Sequence, residues 1–325
     1  MIRITSRGGD ELPSQADIID EFGLFESGTG CSVQVSDAGR VFCLCRECQR
    51  WKAFLDGHHC EGASKGWPQY EVVTRDYIAL LAAYIHGLAV HEKSKRPSAG
   101  TLRVLELGAG DGRLTHHLAE SLRQLQDRDE LPNQSSVAAH GKSSPWVDVC
   151  ACDSGLRGLH KASPVGERVE LMDYTKALEL HQPHLVICCW QPMGTDWTKE
   201  VRATTSVQEY LLIGETDDGI CGRPWETWGF SFMCESSSSS DEDEDETDED
   251  VAAKERRTSE KVQSPSSMLR PFQADGFQRV ELPTLSAVQI CRTDERWSSR
   301  RHSRTVSFQR LSSHGDQLMV DQLLA

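Results

Sequence analysis

The chain has 325 residues, of which 38% are hydrophobic and 26% are charged, and its formal net charge is −15. This length allows one large domain or about two average ones, and the acidic balance argues against nucleic acid as a partner, because nucleic-acid-binding domains are usually basic. No apolar stretch approaches the roughly 20 residues of a membrane-spanning helix, and the first residues lack the apolar segment of a secretory signal, so we expect no membrane partner and a cytoplasmic or nuclear location.

Residues 1–66 form an extension rich in cysteine and histidine. Thiols stay reduced inside a cell, so cysteines there are expected to be metal ligands, reactive groups or small buried side chains rather than disulfides. Cys45 and Cys48 are separated by two residues, and His59 and Cys60 follow them. These four side chains have the chemistry of a tetrahedral site, and we predict that they bind a structural zinc ion. The alternative is a strand, turn and helix in which the cysteines are simply reduced.

A globular pattern begins at residue 67 and continues to residue 293. Apolar residues recur at helical spacing from residue 76 to residue 85, which predicts a helix with Thr74 as its cap. Short runs rich in valine, isoleucine and leucine follow, separated by segments of helical length, and this alternation predicts a mostly parallel α/β sheet with helices on both faces. The predicted strands are residues 103–107, 147–152, 168–171, 185–190 and 210–214. Residues 277–282 and 287–292 are close enough to form an antiparallel hairpin at the C-terminal end of the sheet.

Two polar segments interrupt the 67–293 domain, at residues 126–146 and 235–270. Segments with so few large apolar residues cannot bury enough surface to offset the ordering of the chain, so we predict that both are disordered. The second contains the run DEDEDETDED at residues 241–250, and because nine of its residues are acidic, the rest of the chain carries a net charge of −6. We expect the run to be a solvated spacer; the alternative is that it engages a basic protein. Residues 294–325 are rich in serine and arginine, which predicts a flexible tail.

A glycine-rich turn follows the predicted strand at residues 103–107. Glycine occupies every second position, at Gly108, Gly110 and Gly112, and a helical pattern begins at Leu114. Glycine allows positive φ angles and lets a ligand approach the backbone closely. The spacing differs from the Gly-x-Gly-x-x-Gly fingerprint of dinucleotide-binding folds, which argues against a nicotinamide-dependent dehydrogenase.

The segment from Glu106 to Gly112 resembles the first motif of the class I S-adenosylmethionine-dependent methyltransferases. The resemblance implies a Rossmann-like methyltransferase fold, with S-adenosylmethionine as the cofactor. It further implies that the turn at Gly108 and Gly110 lies under the methionine part of the cofactor, and that Glu106 helps to orient that part.

Two acidic residues further along the chain fit the same resemblance. Asp153 ends the second predicted strand, where the family places an acid for the ribose hydroxyls, and Asp173 follows the third, where many members bind the adenine amino group. Met172 is available to pack on the adenine ring. A carboxylate suits both tasks, because it accepts hydrogen bonds from hydroxyls and from an exocyclic amine. The alternative for both acids is the capping of a helix.

The segment after the fourth predicted strand is expected to face the transferred methyl group, since ligands bind beyond the carboxyl ends of the strands in open α/β sheets. Trp190 would help to form an aromatic wall there, suited to a sulfonium cation; the alternative is that it is a core residue. Gln191 and Pro192 partly match the Asn/Asp-Pro-Pro-aromatic motif of amino-directed members of the superfamily. The candidate catalytic residues are Glu215, Asp196 and Gln191, with Glu215 as the first choice for a base.

These features together predict S-adenosylmethionine-dependent methyl transfer to an unidentified acceptor, either a protein or a small molecule. The alternative is a non-catalytic module that keeps the fold, and with it the cofactor site, in order to bind a partner.

Overall fold

The computed structural model describes residues 12–26, 30–37, 41–57, 68–96, 98, 100–130, 146–161, 169–231 and 269–311. Its helices are α1 (Gln15–Phe22), α2 (Arg46–Leu55), α3 (Arg75–Lys95), α4 (Arg113–Glu130), α5 (Tyr174–His181), α6 (Thr198–Ala203), α7 (Pro224–Trp228), α8 (Pro271–Ala274) and α9 (Pro283–Ser286). Its strands are β1 (Val33–Val35), β2 (Val41–Cys43), β3 (Leu102–Leu107), β4 (Val147–Asp153), β5 (Val169–Leu171), β6 (Leu185–Cys189), β7 (Glu209–Glu215), β8 (Phe277–Glu281) and β9 (Ser303–Arg310). No described helix is both long and apolar enough to cross a lipid bilayer.

A seven-stranded sheet with the order β5-β4-β3-β6-β7-β9-β8 forms the centre of the molecule. The first five strands in this order are parallel, and β9 runs antiparallel to both of its neighbours. All seven residues of β7 are buried, as expected for a strand that is covered on both faces. The predicted Rossmann-like sheet, mostly parallel with an antiparallel pair at its C-terminal end, is therefore confirmed.

Helices cover both faces of the sheet, because alternate residues of each strand point to opposite sides. On one face Leu81 of α3 and Leu118 of α4 pack against Ile187 of β6. On the other face Leu178 of α5 and Val201 of α6 pack in a second cluster with the remaining strand side chains. The predicted cap of α3 is present, since the hydroxyl oxygen of Thr74 accepts a hydrogen bond from the third residue of the helix.

The antiparallel pair differs from the predicted hairpin in its second strand. β8 lies where predicted, but its partner is β9, which belongs to the segment expected to be a flexible tail. Only one face of β9 is apolar: Val306 and Phe308 join a core cluster, whereas Thr305 and Ser307 are buried beside polar partners. Because of these buried hydroxyls, the composition of β9 is that of a solvated segment, which is why the sequence suggested a tail.

Residues 287–292, the predicted second strand of the hairpin, form no strand in the structure. Pro283 starts the short helix α9, and the chain then turns, with a single bridge between Cys291 and Glu71. The described part of the chain also shows that α4 extends to Glu130, five residues into the first predicted insert. Residues 131–145 and 232–268, including the acidic run, lie outside the described residues.

The N-terminal residues fold into a small module of α1, the β1–β2 hairpin and α2. Phe22 of α1 packs against Trp51 and Phe54 of α2, with ring centroids 5.0 and 4.9 Å apart. The indole N–H of Trp51 donates to the carbonyl of Asp294 at 2.8 Å. The module is thus attached to the segment that leads into β9.

Candidate cofactor and active site

A cleft of about 1020 Å³ lies at the carboxyl ends of the parallel strands. This is the edge at which open α/β sheets bind their ligands. Nearly all of the predicted cofactor residues line the cleft, namely Glu106, Gly108, Gly110, Asp153, Met172, Asp173 and Trp190. Gly112 belongs to the same turn and closes it, because its N–H donates to the carbonyl of Ala109 at 2.9 Å.

All three glycines of the turn have positive φ angles, of 68°, 58° and 74°. At Gly108 space is also limiting, because an added Cβ would come 2.7 Å from the ring of Trp197. At Gly110 the nearest side-chain atom would be 3.6 Å away, on Leu159, so there the backbone angle alone requires glycine. Trp197 therefore packs directly against the turn at Gly108, whereas the turn at Gly110 borders the cleft and has space beside it.

Asp153 holds the glycine turn in place. Its Oδ2 accepts a hydrogen bond from the N–H of Gly110 at 3.0 Å, and its Oδ1 accepts from the N–H of Gly155 at 2.7 Å. A carboxylate has about four acceptor positions, so each oxygen keeps capacity for a further donor from the cleft. Asp153 can therefore fix the turn and bind hydroxyl groups of a ligand at the same time.

Asp173 caps α5 and is exposed. Its Oδ1 accepts from both the N–H and the hydroxyl of Thr175, at 2.9 and 2.6 Å. Asp173 therefore caps the helix through Oδ1, which is the alternative role predicted for it, and its Oδ2 stays available for a ligand. Met172 is partly buried beside it and packs against the core cluster on that face of the sheet.

Glu106 is a buried carboxylate at the bottom of the cleft, only 3% exposed. It accepts hydrogen bonds from the N–H of Thr115 at 3.1 Å and from the hydroxyl of the same residue. Burial raises its pKa to about 8 and the nearby Asp111 adds to the increase, although the Thr115 hydrogen bonds act in the opposite direction. A positive charge bound above Glu106 would stabilise its ionised form.

Trp190 follows β6 with a φ angle of 55°, a left-handed conformation that large side chains rarely adopt. Its backbone N–H donates to the carbonyl of Ile213 at 2.8 Å, and its indole N–H donates to Oε2 of Glu71 at 2.7 Å. The ring also lies 5.6 Å from that of Tyr70, measured between centroids. These contacts hold a strained residue at the edge of the cleft, a combination that is common at functional sites.

Gln191 lines the cleft and is 3% exposed. Its Nε2 donates to the carbonyl of Thr195 at 2.7 Å. Its Oε1 is buried and has no hydrogen-bond partner among the described residues. A buried acceptor without a donor costs about 1–3 kcal/mol, so a donor group of a bound molecule would relieve this cost.

Glu71 also lines the cleft, although no motif in the sequence points to it. Besides the indole of Trp190, it accepts from the hydroxyl of Ser303 at 2.7 Å and from the amide of Gln289 at 3.1 Å. Burial raises the pKa of Glu71 to about 7, against the opposing effect of these hydrogen bonds. Its partners are more than a hundred positions away in the chain, so only the folded topology could identify it.

The other two predicted catalytic residues do not line this cleft. Glu215 lines a second cavity of about 1220 Å³, where it accepts from the N–H of Ile220 at 3.1 Å and from the hydroxyl of Thr293. Asp196 accepts from the hydroxyls of Thr198 and Thr227, at 2.7 and 3.1 Å, and thereby joins α6 to α7. Of the three predictions, only Gln191 lies at the cleft.

Only part of the predicted metal site lies within the described residues. Cys45 and Cys48 are close together, whereas His59 and Cys60 lie outside the described ranges. The structure brings two other cysteines, Cys31 and Cys43, to this pair, and the four sulfur atoms all lie within 4.8 Å of one another.

No family model and no curated protein matches the chain. The solved structures similar to it are mostly methyltransferases. They include the plantazolicin methyltransferase BpumL in complex with SAH (11% identity, 44% of this chain and 50% of that chain, TM-score 0.27). A second is the 23S rRNA methyltransferase ErmE, with 13% identity, coverage of 74% of this chain and 69% of that chain, and a TM-score of 0.32. A third is the DszA carbon methyltransferase, with 10% identity, coverage of 94% of this chain and 84% of that chain, and a TM-score of 0.34. This chain spans only half the length of BpumL. With such low identities and TM-scores, the chemistry of the site has to be derived from its own residues.

Proposed function

We propose that this protein binds S-adenosylmethionine in the cleft and transfers its methyl group to an acceptor that carries an N–H or O–H group. The proposal rests on one observation, namely that two features lie in the same cleft. The first is the glycine turn held by Asp153, and the second is the strained Trp190 followed by the unpartnered acceptor of Gln191.

The residues present fit the cofactor. A volume of about 1020 Å³ is ample for a ligand of this size. Following the resemblance, Gly108 and Gly110 would lie under the methionine part and Asp153 would accept from the ribose hydroxyls. Asp173 and Met172 would hold the adenine. The buried Glu106 and the aromatic ring of Trp190 favour a cationic ligand at the centre of the cleft.

The cleft residues can orient an acceptor and remove its proton. When bound, the cofactor supplies an electrophilic methyl group. Oε1 of Gln191 accepts a hydrogen bond from the N–H or O–H of the acceptor, which aims the lone pair of its nucleophilic atom. Glu71 takes up the proton that the acceptor loses, a role suited to a carboxylate whose pKa of about 7 is near neutral pH. Trp190 fixes Glu71 in position through its indole N–H.

The non-catalytic alternative also has an observation in its favour. The position after β6 carries Gln191 and Pro192 in place of the full amino-directed motif, and two of the three predicted catalytic residues lie away from the cleft. Such a module would bind the cofactor without turning it over, so measurements of binding and transfer separate the two functions.

Calorimetric titration with S-adenosylmethionine tests the cofactor site. We expect the wild-type protein to bind and the Gly110→Arg variant to lose binding, because its side chain would enter the cleft. Gly276→Arg is the matched control: Gly276 also has a positive φ and open space around it, but it precedes β8 and does not line the cleft. Absence of binding by the wild-type protein would exclude the proposal.

Transfer of a labelled methyl group tests catalysis. The purified protein and labelled cofactor are added to an extract of cells that lack the protein, and the labelled species are identified. We expect label to appear with the wild-type protein and the Gly276→Arg control but not with Gly110→Arg. Binding without transfer across such extracts would favour the non-catalytic module.

A further inference from the structure

The N-terminal β1–β2 hairpin has almost no hydrophobic core of its own. Each strand has three residues, and Val33, Val35 and Val41 are 44%, 68% and 48% exposed. A two-stranded hairpin of this kind is at best marginally stable in water. Something other than apolar burial has to hold it against α2.

Four cysteines lie at the base of this hairpin. Cys31 precedes β1, Cys43 ends β2, and Cys45 and Cys48 stand at the N-terminal end of α2. The sulfur of Cys31 lies 3.7 Å from that of Cys48 and 4.0 Å from that of Cys45. These distances are far longer than the roughly 2.05 Å of a disulfide, but they match the ~3.8 Å edge of a tetrahedron with metal–sulfur bonds of about 2.3 Å.

Hydrogen-bond donors surround two of the four sulfur atoms, those of Cys43 and Cys45. The backbone N–H of Cys45 donates to the sulfur of Cys43 at 3.4 Å, and the N–H of Cys48 donates to the sulfur of Cys45 at 3.5 Å. The guanidinium group of Arg296 donates to the sulfur of Cys45 at 3.8 Å. Four thiolates around a divalent cation carry a net charge of about −2, which a neighbouring arginine partly offsets.

We propose that Cys31, Cys43, Cys45 and Cys48 together bind one zinc ion, which fixes the β1–β2 hairpin to α2. Four protein ligands leave no open position, so the ion has a structural role. Zinc is the fitting metal because four soft thiolates in tetrahedral geometry select zinc or iron, and an isolated redox-inert ion suits a structural position. Cys31 and Cys43 thereby replace His59 and Cys60 of the ligand set predicted from the sequence.

The metal content of paired variants tests this ligand set. The full chain is purified without chelators, and we expect about one zinc per chain. Cys31→Ser/Cys43→Ser should lower the zinc content at least about tenfold, whereas His59→Ala/Cys60→Ser should leave it unchanged. Each double variant removes two candidate ligands, so the pair is matched. Loss of zinc from the second variant alone, or iron in place of zinc in the wild-type protein, would overturn the proposal.

Thiol labelling of the wild-type protein answers the same question without a variant that could fail to fold. Alkylation followed by peptide mass analysis should show all four cysteines protected in the metal-loaded protein and all four modified after chelation. Cys60 should react equally in both states. Full reactivity of Cys31 and Cys43 before chelation would contradict the proposal.

Discussion

Replacement of Glu71 by glutamine tests its role as a base. The amide is similar in shape but cannot take up a proton, so we expect methyl transfer to fall by about 10²–10⁴-fold while cofactor binding changes little. In the wild-type protein, transfer should rise as the pH passes through about 7, because Glu71 must be ionised to accept the proton. The variant should lack this rise. Rates of labelled methyl transfer and calorimetric titration measure the two effects.

The exposed Glu179 on α5 offers the matched control for this experiment. Glu179→Gln removes the same carboxylate away from the cleft and should leave both the rate and its pH profile as in the wild-type protein. If Glu71→Gln retained the wild-type rate, Glu71 would have no part in proton removal.

The residues at the cleft differ in how far local sequence identifies them. Gly108, Gly110 and Asp153 follow strands whose apolar runs are visible in the sequence, so their positions at one edge of the sheet could be predicted. Glu71 precedes a helix, in a segment with no motif, and reaches the cleft through contacts with residues at positions 190, 289 and 303. No local pattern encodes such contacts, so the proposed base could not be predicted.

The two glycines of the turn should respond differently to alanine. Both have positive φ angles, at which an alanine is strained by about 1–2 kcal/mol, so this cost is common to the two variants. Only at Gly108 would the new methyl group strike a ring, that of Trp197 at 2.7 Å. We therefore expect Gly108→Ala to lower the free energy of unfolding in urea by about 1–3 kcal/mol more than Gly110→Ala. Equal losses would mean that the Trp197 ring moves aside freely.

Among the elements, the parallel strands were predictable and β9 was not. β6 and the middle of β7 are continuous apolar runs, because helices cover both of their faces. β9 presents apolar residues to one side only, and on the other its Ser307 meets a polar junction with β7 and α3. In that junction Glu209 accepts from the hydroxyls of Tyr84 and Ser307, at 2.5 and 2.7 Å. Long-range hydrogen bonds of this kind leave no periodic trace in a sequence.

Because Glu209 is buried in this junction, we expect the effect of Glu209→Gln on the free energy of unfolding to depend on pH. Burial raises the pKa of Glu209 to about 7 from an ordinary 4.5, despite the two hydrogen bonds that it accepts. Its protonated form therefore stabilises the fold fully below pH 4.5, and this contribution is lost as the pH rises through 7. Glutamine does not titrate, so the variant should match the wild-type protein near pH 4.5. Near pH 8 it should be more stable, by on the order of 1–3 kcal/mol.

Urea unfolding at the two pH values measures this difference, with Glu179→Gln again as the control at an exposed position. A difference between Glu209→Gln and the wild-type protein that stays constant with pH would show that Glu209 is ionised equally in the folded and unfolded chains.

At the scale of the whole molecule, the described parts of the two segments predicted as separate appendages, residues 1–66 and 294–325, pack on each other and on the sheet. The N–H of Phe25 donates to the carbonyl of Glu295 at 3.2 Å, and Arg301 lies 4.2 Å from the ring centroid of Phe25. Just before the C-terminal segment, the chain also contacts the residue beside Glu71, since the N–H of Val72 donates to the carbonyl of Ile290 at 2.8 Å. Composition indicates which segments are polar, but it does not indicate which of them meet.

Truncation distinguishes a flexible tail from an integral strand. A chain that ends at Leu311 keeps every described element, and we expect it to fold with the thermal stability of the full chain. A chain that ends at His302 lacks β9, which leaves β8 without a partner strand in the described sheet and exposes one edge of β7, so we expect it to aggregate. Solubility and circular dichroism of the two products measure the outcome. A soluble, folded product ending at His302 would show that β9 is dispensable.

The position of β9 between β7 and β8 also sets the order in which the sheet can be completed during synthesis. A ribosome releases β7 and then β8, but β8 pairs with no other strand in the described sheet, so it has no place until residue 310 has emerged. Until then the nascent chain exposes an apolar strand edge, which is prone to pair with other chains. Such a protein should depend on chaperones until β9 is made, and a premature stop just before residue 303 should be as harmful as one in the middle of the sheet.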